Sequence, residues 1–338
     1  MQRLLFGFFS IYFGYVLLLT IAEAKTKPLL IYFIDVEGGE ATLLISPSGE
    51  SLLIDAGNPG KRDADRIVAA AKNARVKRID FLLITHFHND HVGGLADLAE
   101  QIKVGTYVDH GEPVKDSART VDDYAAYEKL AAKEKRLIVK PGDGLPIKGL
   151  TVRILTANGE HIDHPLPNAG TANPWCESEA VPEVDDSENA RSVGTLVTYG
   201  KFRFIDLGDL PKKQELELAC PNNMIGTVDL MLVTHHGVGG SNTNALDWAL
   251  HPRVAVVSND AEDAEPAVWR TIRNSPGIED FWQLHFATDL GRDRNVPEAL
   301  IANIDRKSDG HYIKVSVEPD GSFSVFNSRN GNLKRYAK

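Results

Sequence analysis

The chain has 338 residues, of which 43% are hydrophobic and 25% charged, and this balance excludes a disordered, collagen-like or disulfide-dense protein. Its formal net charge of −10 argues against a broadly basic surface that coats nucleic acid. Cys176 and Cys220 are too few for a four-thiolate zinc site. They could form one disulfide in an oxidising compartment, and the sequence leaves open whether they meet.

An export signal is expected at the N-terminus. Arg3 gives a positive start, an almost unbroken apolar run follows over residues 4–21, and Ala22-Glu23-Ala24 is a small-x-small cleavage site. The pattern predicts cleavage after Ala24 and a periplasmic or secreted protein that keeps no stable membrane span. An uncleaved membrane anchor is the alternative, because the run is about as long as a membrane span. Residues 25–338 are then expected to form a single domain.

Strand and helix patterns alternate along the rest of the chain in two series. β-Branched and aromatic runs predict strands, and amphipathic or alanine-rich stretches predict helices. Strands are predicted at 29–35, 41–45, 52–54, 79–85, 104–108, 137–139, 151–155, 194–199, 202–207, 230–234, 254–258, 312–317 and 322–326. Helices are predicted at 63–77, 94–101, 120–135 and around Trp248 and Trp269. This order favours an α/β fold in four layers, an αββα sandwich of two mixed sheets with helices on their outer faces.

A dense group of metal-ligating side chains follows the predicted strand 79–85. His86 and His88 are two residues apart, so in an extended segment their side chains project to one side. Asp90 and His91 come where the chain turns into a helix. Imidazole and carboxylate groups suit borderline first-row ions, and four such ligands suit two ions that share one pocket. A polar loop with incidental histidines is the alternative, and the strand–motif–helix context argues against it.

The spacing of these four ligands, H-x-H-x-D-H, resembles the signature of the metallo-β-lactamase superfamily. The segment FIDVEGGEA at 33–41 and the later His-His-Gly at 235–237 are similar to the branch related to the hydrolase domain of the competence protein ComEC. The resemblance spans roughly residues 30–289. It implies a metal-dependent hydrolase with two divalent ions, Zn²⁺ first and Mn or Fe as alternatives, that share an activated water.

The resemblance also implies roles for later residues. Asp209, at the end of a predicted strand, matches the acid that bridges both metals, although a helix-capping role is an alternative. Asp90 should bind the second metal and help to orient the nucleophile, so Asp90 and Asp209 carry the catalytic roles. Asp55 matches a supporting acid that does not usually bind metal. We favour His235 as the last ligand of the second metal because it lies directly at a strand end, which leaves His236 behind the site or facing substrate.

The first metal is expected to have fewer protein ligands. Many members of the superfamily carry another histidine about twenty residues before the bridging acid. This chain has Asn189 and Ser192 in that region, as the ComEC-like branch often does. The first two histidines of the motif, the bridging acid and solvent would then hold this ion weakly or favour a different ion. His110, which follows a predicted strand, is a further candidate for contact with metal or substrate.

The expected substrate is a small molecule or phosphodiester. The preference for a phosphodiester or a similar ester comes only from the resemblance, and a lactone or β-lactam hydrolase of the same fold is an alternative. A non-catalytic exported metal-binding protein is another alternative, because the third histidine is missing. A nucleic-acid substrate would need a local basic groove, for which Arg191, Lys201, Arg203 and Arg292 are candidates, and the acidic net charge argues against it.

Overall fold

The computed structural model describes residues 27–180, 184–262, 264–288, 291 and 294–338. The predicted export signal and its cleavage site therefore lie outside the described residues, as does Arg292. Within the described part of the chain, none of the helices has the length and apolar character needed to cross a membrane.

The first half of the chain builds most of one sheet, sheet A. Its strands are β1 (Leu29–Phe33), β2 (Thr42–Ile45), β3 (Ser51–Ile54), β4 (Arg78–Leu83), β5 (Lys103–Asp109) and β6 (Lys135–Ile138). Its helices are α1 (Lys61–Asn73), α2 (Asn89–Val92), α3 (Leu95–Gln101) and α4 (Ala118–Ala131). The side chain of Ser117 accepts the backbone N–H of Thr120, and this N-cap starts α4.

The second half builds sheet B and then returns to sheet A. The strands of sheet B are β7 (Gly144–Leu145), β8 (Thr151–Ala157), β9 (Glu160–His161), β10 (Gly194–Tyr199), β11 (Phe202–Asp206), β12 (Leu230–Leu232), β13 (Val254–Val257), β14 (Asp280–His285) and β15 (Ile301–Asn303). The helices are α5 (Lys212–Ala219), α6 (Asn244–Leu250) and α7 (Pro266–Arg273). The strands that rejoin sheet A are β16 (Ile313–Val317), β17 (Phe323–Asn327) and β18 (Leu333–Tyr336).

Both sheets are mixed. Sheet A has the order β18-β17-β16-β1-β2-β3-β4-β5-β6 and is parallel from β3 to β6. Sheet B has the order β15-β14-β13-β12-β11-β10-β8-β7 and is parallel from β11 to β15. Parallel strands end at the same edge of their sheet, and such edges are common places for ligand sites. The loops after β3, β4, β11 and β12 therefore have the position to build one.

Apolar side chains on both faces of the central strands produce four layers. In β1, Ile31 and Phe33 pack in the core between the sheets, whereas Tyr32 packs under the helices outside sheet A. In β11, Phe204 points into the same inner core and Ile205 packs outward under the helices of sheet B. Strands covered on both faces are apolar throughout rather than alternating. The predicted αββα sandwich is confirmed.

The sequence pattern does not predict β14, β15 or β18. β14 contains Asp, Gln and His and has no β-branched run, yet Trp282 and Leu284 point from it into the inner core. α1 ends at Asn73, before the predicted end of that helix, and the chain then turns at Arg75, whose φ is 61°. Tertiary burial and a left-handed residue therefore override the local pattern at these places.

Cys176 and Cys220 form a disulfide, with their Cα atoms 5.8 Å apart. Cys220 caps the C-terminal end of α5, and Cys176 lies in the long loop between β9 and β10. The bridge ties this loop to sheet B on the side of α5 and α6. The pairing that the sequence leaves open is therefore made in the structure.

Candidate metal centre

The metal-binding motif lies in the turn between β4 and α2. His86 is completely buried, whereas His88 keeps 30% of its side chain exposed. His88 immediately precedes α2, so Asp90 and His91 fall in the first turn of that short helix. The strand end and the helix start therefore turn four ligands toward the edge where sheet A faces sheet B.

Two glycines let the backbone pass very close to this turn. A Cβ at Gly94 would lie 2.2 Å from the carbonyl oxygen of Ala56, at the end of the segment that follows β3. A Cβ at Gly39 would lie 2.3 Å from the carbonyl oxygen of Asp90. Both distances are shorter than any ordinary contact, so the packing behind the motif requires glycine at both positions.

Four ligand atoms form a compact half of the centre. They belong to Asp90, His91, Asp209 and His236, and all lie within 4.8 Å of one another. His91 Nε2 is 3.1 Å from His236 Nε2 and 3.2 Å from Asp209 Oδ2. His236 Nε2 is 3.4 Å from Asp209 Oδ1 and 3.5 Å from Asp90 Oδ2. The compact half therefore joins the motif of sheet A to the ends of β11 and β12 in sheet B.

The remaining predicted ligands form an open half on the other side of Asp209. His86 Nε2 lies 3.1 Å from His88 Nδ1 and 3.7 Å from Asp209 Oδ2. His235 Nε2 lies 3.6 Å from the same Asp209 oxygen. These three histidines surround Asp209 less tightly than the donors of the compact half. The open half therefore comprises His86, His88 and His235, with Asp209 shared between the halves.

The His-His pair after β12 divides between the two halves. The sequence predicts that His235 joins the second metal, with Asp90 and His91, but the structure brings His236 to those residues. Both histidines have a φ of 53°, in the left-handed region, so the chain does not continue as a strand beyond Thr234. An expectation that the chain continues as a strand therefore assigns His235 and His236 to the opposite halves from those in which the structure places them.

The histidines of the compact half are oriented from behind. The Asp55 carboxylate is fully buried and lies 2.6 Å from His91 Nδ1, and it also accepts the Thr85 backbone N–H at 2.8 Å. A carboxylate can only accept, so His91 carries a proton on Nδ1 and turns its Nε2 into the centre. His236 Nδ1 lies 3.2 Å from Ser258 Oγ. The predicted supporting residue Asp55 therefore stands behind a ligand.

His235 is held in a similar way. Its Nδ1 lies 3.3 Å from Ser241 Oγ, and that hydroxyl donates to the carbonyl of Leu210 at 2.8 Å. Because the hydroxyl proton is used there, Ser241 accepts from His235 Nδ1–H, and the unprotonated His235 Nε2 keeps its lone pair as an acceptor. Asn189 Nδ2 lies 3.4 Å from this nitrogen. Asn189, which lies in the region where the resemblance leads one to expect a histidine, thus faces the open half.

The other predicted site residues stand around the centre. Ser192 Oγ lies 3.4 Å from the backbone nitrogen of Asp209 and so supports the shared ligand. His110 is buried, and its Nε2 lies 2.9 Å from Glu188 Oε1 rather than in the group of candidate metal ligands. The structure therefore does not bring His110 among the metal-facing donors.

Two acids near the motif are missed by sequence reasoning. Glu188 is fully buried and accepts the backbone N–H groups of Phe87 at 3.0 Å and Val114 at 2.7 Å. Asp116 Oδ2 lies 3.3 Å from His88 Nε2. Both occur in polar loops, where acidic residues are common and attract no attention. Only the neighbouring Asn189, itself a candidate site residue, points to Glu188 in the sequence. Long-range loop packing, which spacing does not encode, brings them to the motif.

Two other groups of ligand atoms lie within 4.8 Å of one another, namely Asp35–Glu37–His285 and Glu40–Asp55–His91. Arg66 already supplies a cation to the first group, with its guanidinium nitrogens 3.1 Å from Asp35 and 2.9 Å from Glu37. In the second group, His91 Nδ1 is already bonded to Asp55. These groups therefore act as ion-pair and hydrogen-bond clusters, and the compact half is the stronger candidate for a metal site.

Buried carboxylates dominate the electrostatics of the centre. Burial would raise the pKa of Asp209, but His91 and His236 outweigh it and hold that pKa well below its ordinary value. Burial opposes protonation of His91, yet Asp209, Asp90 and Asp55 raise its pKa well above the ordinary value. Burial lowers the pKa of His86 well below its ordinary value, so that ring is neutral. The compact half is therefore a region of concentrated negative potential.

These donors fit divalent ions. Asp209 Oδ1 is buried and has no well-formed hydrogen bond among the described residues, and the nearest histidine nitrogen is 3.4 Å away. A buried carboxylate oxygen without a donor is costly unless a cation satisfies it. His91 Nε2 and His235 Nε2 lie 3.2 and 3.6 Å from the other oxygen of this carboxylate. Imidazole nitrogen and carboxylate oxygen are donors that Zn²⁺ and related ions accept.

Comparison with known proteins gives one matching family and several curated relatives. Residues 35–181 match the family model described as "Metallo-beta-lactamase superfamily". The chain is similar to ComE operon protein 3 of Bacillus subtilis (strain 168), with 28% identity over 187 residues that cover 54% of this chain and 20% of that protein. These matches agree with the resemblance of the motifs to the superfamily, over residues 35–181, and to its ComEC-like branch.

Two further relatives have enzyme names. A hydroxyacylglutathione hydrolase of Rhodopseudomonas palustris (strain BisB5) is 32% identical over 117 residues, which cover 35% of this chain and 37% of that protein. A ribonuclease Z of Methanopyrus kandleri is 36% identical over 121 residues, which cover 35% of this chain and 39% of that protein. The chain thus spans less than half the length of each curated relative it matches.

Proposed function

We propose that this chain, whose residues 35–181 belong to the metallo-beta-lactamase superfamily, is a metal-dependent hydrolase. The observation that carries the proposal is the compact half, where the ligand atoms of Asp90, His91, Asp209 and His236 lie within 4.8 Å of one another. The family match ends before Asp209, so the last two ligands rest on geometry. Histidine and carboxylate sets of this kind hold catalytic metals while leaving a position open to water.

The proposed centre takes two divalent ions, one in each half. Zn²⁺ is the first choice for the mixed imidazole and carboxylate donors, with Mn or Fe as alternatives. Such ions supply Lewis acidity and a water that is activated at neutral pH. Asp209 is suited to bridge the halves, because its Oδ2 lies 3.2 Å from His91 Nε2 and 3.7 Å from His86 Nε2. Asp90, with 29% of its side chain exposed, is suited to orient the attacking nucleophile.

We propose a phosphodiester or a similar ester of a small molecule as the substrate. One relative is named a hydroxyacylglutathione hydrolase and another a ribonuclease, so similar chains act on acyl and on phosphodiester bonds. A lactone or β-lactam is the alternative within the same chemistry. Resemblance to the ComEC-like branch supports the phosphodiester.

Of the four candidate cations for a nucleic-acid groove, the three that the structure describes do not support a nuclease. Lys201 and Arg203 lie where β10 turns into β11, at the opposite end of β11 from Asp209. Arg203 donates to two backbone carbonyls, at 2.6 and 2.7 Å, and Arg191 donates to the side chain of Asn158 at 2.8 Å. These cations are occupied or distant, which favours a small substrate.

Export to the periplasm or the exterior is also proposed. A disulfide between Cys176 and Cys220 suits an oxidising compartment, and the apolar run at 4–21 with its cleavage site after Ala24 suits a signal peptide. An uncleaved membrane anchor is the alternative. The core between the sheets contains residues from both halves of the chain, which supports one hydrolase domain over 25–338.

The test combines metal analysis with a substrate panel. Purified wild type should bind divalent metal and hydrolyse a member of a panel of phosphodiesters, lactones and β-lactams. Asp209→Ala should lose metal and turnover, because both halves share this carboxylate. Asp122→Ala, which changes an exposed aspartate of α4, is the matched control.

Circular dichroism spectra of the variants establish whether they fold. Undiminished hydrolysis by folded Asp209→Ala would reject the bridging assignment. Bound metal without hydrolysis of any panel member would favour a non-catalytic metal-binding protein.

A further inference from the structure

We propose that Asp116 is a positioning residue for His88 and thereby sets the metal affinity of the open half, an inference that rests on the proposed function. Asp116 lies just before Ser117, the N-cap of α4, in the loop that follows β5. The spacing of the H-x-H-x-D-H motif assigns no role to Asp116. Asp116 matters because its carboxylate orients the imidazole ring of His88.

Asp116 fixes which nitrogen of His88 is free. Asp116 Oδ2 lies 3.3 Å from His88 Nε2 and also accepts the backbone N–H of Glu188 at 3.1 Å. Its other oxygen accepts the hydroxyl of Thr120 at 2.8 Å. Because a carboxylate accepts and does not donate, His88 carries its proton on Nε2 and points a free Nδ1 lone pair at His86.

The facing nitrogen of His86 is also free. Thr85 Oγ1 donates to Asp55 Oδ2 at 2.6 Å, so it can only accept from His86 Nδ1, which lies 3.1 Å away. His86 therefore has its proton on Nδ1, and its Nε2 lone pair meets the His88 lone pair across 3.1 Å. Two lone pairs so placed repel each other unless a cation binds both. Asp116 and Thr85 thus prepare a pair of nitrogens for one ion.

His88 needs this contact more than the other motif histidines do. His86 and His91 are fully buried and their rings are confined by packing, whereas 30% of the His88 side chain is exposed. Without Asp116 the exposed ring could rotate and could carry its proton on either nitrogen. Outer hydrogen-bond partners of ligating histidines typically change metal affinity by about 10- to 100-fold.

Glu188 ties Asp116 to the motif backbone. Its buried carboxylate accepts the N–H of Phe87, the residue between the two histidines, at 3.0 Å and lies 2.9 Å from His110 Nε2. Its backbone N–H donates to Asp116. The motif, the loop after β5 and the loop before β10 are therefore held together, and His110 acts on the open half through Glu188.

The test measures metal binding to the full chain. Demetallated wild type, Asp116→Asn, Asp116→Ala and the control Asp122→Asn are titrated with Zn²⁺ against a chromophoric chelator and with Co²⁺ by visible absorption. Wild type and control should show two classes of site. Asp116→Ala should weaken one class by about 10- to 100-fold and leave the other unchanged. Asp116→Asn, whose amide oxygen can still accept from His88, should fall between them.

The outcomes separate this inference from the proposed function. Two unchanged classes of site in both Asp116 variants would overturn the role of Asp116 while leaving the hydrolase proposal intact. Equal weakening of both classes would also overturn it, because Asp116 would then act on the fold as a whole. A wild-type chain that binds no metal would overturn the proposed function itself.

Discussion

The compact and open halves of the candidate metal centre share Asp209, but their histidines differ in exposure to solvent. His91 and His236 are buried and have polar groups behind them in the interior. In the open half, 30% of the His88 side chain and 22% of the His235 side chain are exposed. The motif therefore contributes to one half whose histidines are buried and to another in which His88 and His235 are partly open to solvent.

The largest effect is expected from removing one histidine from each half in turn. His236→Ala should remove the ion of the compact half and reduce turnover at least about 100-fold, since it deletes a ligand rather than a partner of a ligand. His235→Ala should weaken only the ion of the open half. Metal content by mass spectrometry, together with kcat and KM, distinguishes the variants.

The opposite metal losses in the two histidine variants would contradict the assignment of His236 to the compact half. If His235→Ala lost the tighter ion and His236→Ala kept it, the assignment made from the sequence pattern would be right and the geometric one wrong. Asp122→Ala again serves as the control for handling and folding.

The next effect tests how the compact half is oriented. Asp55→Asn keeps the size of the side chain but can present an amide N–H to His91 Nδ1, which now donates at 2.6 Å. We expect the affinity of the tighter ion to fall by about 10- to 100-fold, with little change at the other site. Zn²⁺ competition titration measures both. Loss confined to the weaker ion would show that Asp55 serves the open half instead.

A smaller effect concerns the packing behind the compact half. A Cβ at Gly94 would lie 2.2 Å from the Ala56 carbonyl, so Gly94→Ala must shift the backbone next to α2 and α3. We expect a loss of unfolding free energy of about 1–3 kcal/mol, measured by urea denaturation. Gly144→Ala is the matched control, because its nearest neighbour is an ordinary 3.6 Å away. Equal stability of the two variants would contradict the packing argument.

The fold follows closely from the sequence where strands are apolar on both faces. The predicted strand 194–199 coincides with β10 because both faces of that strand are covered. β14 escapes prediction because only its neighbours in sheet B reveal that Trp282 and Leu284 face the inner core. Local patterns thus predict buried strands well and short, partly polar strands poorly.

The site follows from the sequence only as far as the motif and the strand ends. Spacing singles out His86, His88, Asp90 and His91, and the resemblance to the superfamily singles out Asp209 at the end of a predicted strand. The choice between His235 and His236 depends on two consecutive left-handed residues, which no hydrophobic pattern encodes.

The partners of the ligands are still harder to find. Asp116 and Glu188 lie in loops, and their roles depend on where distant segments meet. A sequence therefore predicts ligands better than the groups that orient them.

A pH experiment addresses the loop behind the open half. The buried Glu215 carboxylate accepts the N–H groups of Asn242 and Thr243, both at 2.8 Å, next to the serine that holds His235. Burial raises the pKa of Glu215 to about 7, and its hydrogen bonds and Lys212 only partly offset this. Burial and the charge of Glu215 likewise raise the pKa of Asp247 well above its ordinary value.

Because the folded-state pKa of Glu215 is raised, the folded chain keeps a proton that the unfolded chain releases. The associated stability is complete below the ordinary value of 4.5 and is lost as the pH rises through about 7. Glu215→Gln should flatten this part of the stability profile by up to about 3 kcal/mol, measured by urea denaturation at several pH values. Glu217→Gln, on the exposed side of α5, is the control. Unchanged pH dependence in Glu215→Gln would mean that the loop is held equally well by a charged carboxylate and that Glu215 is not the source of this pH dependence.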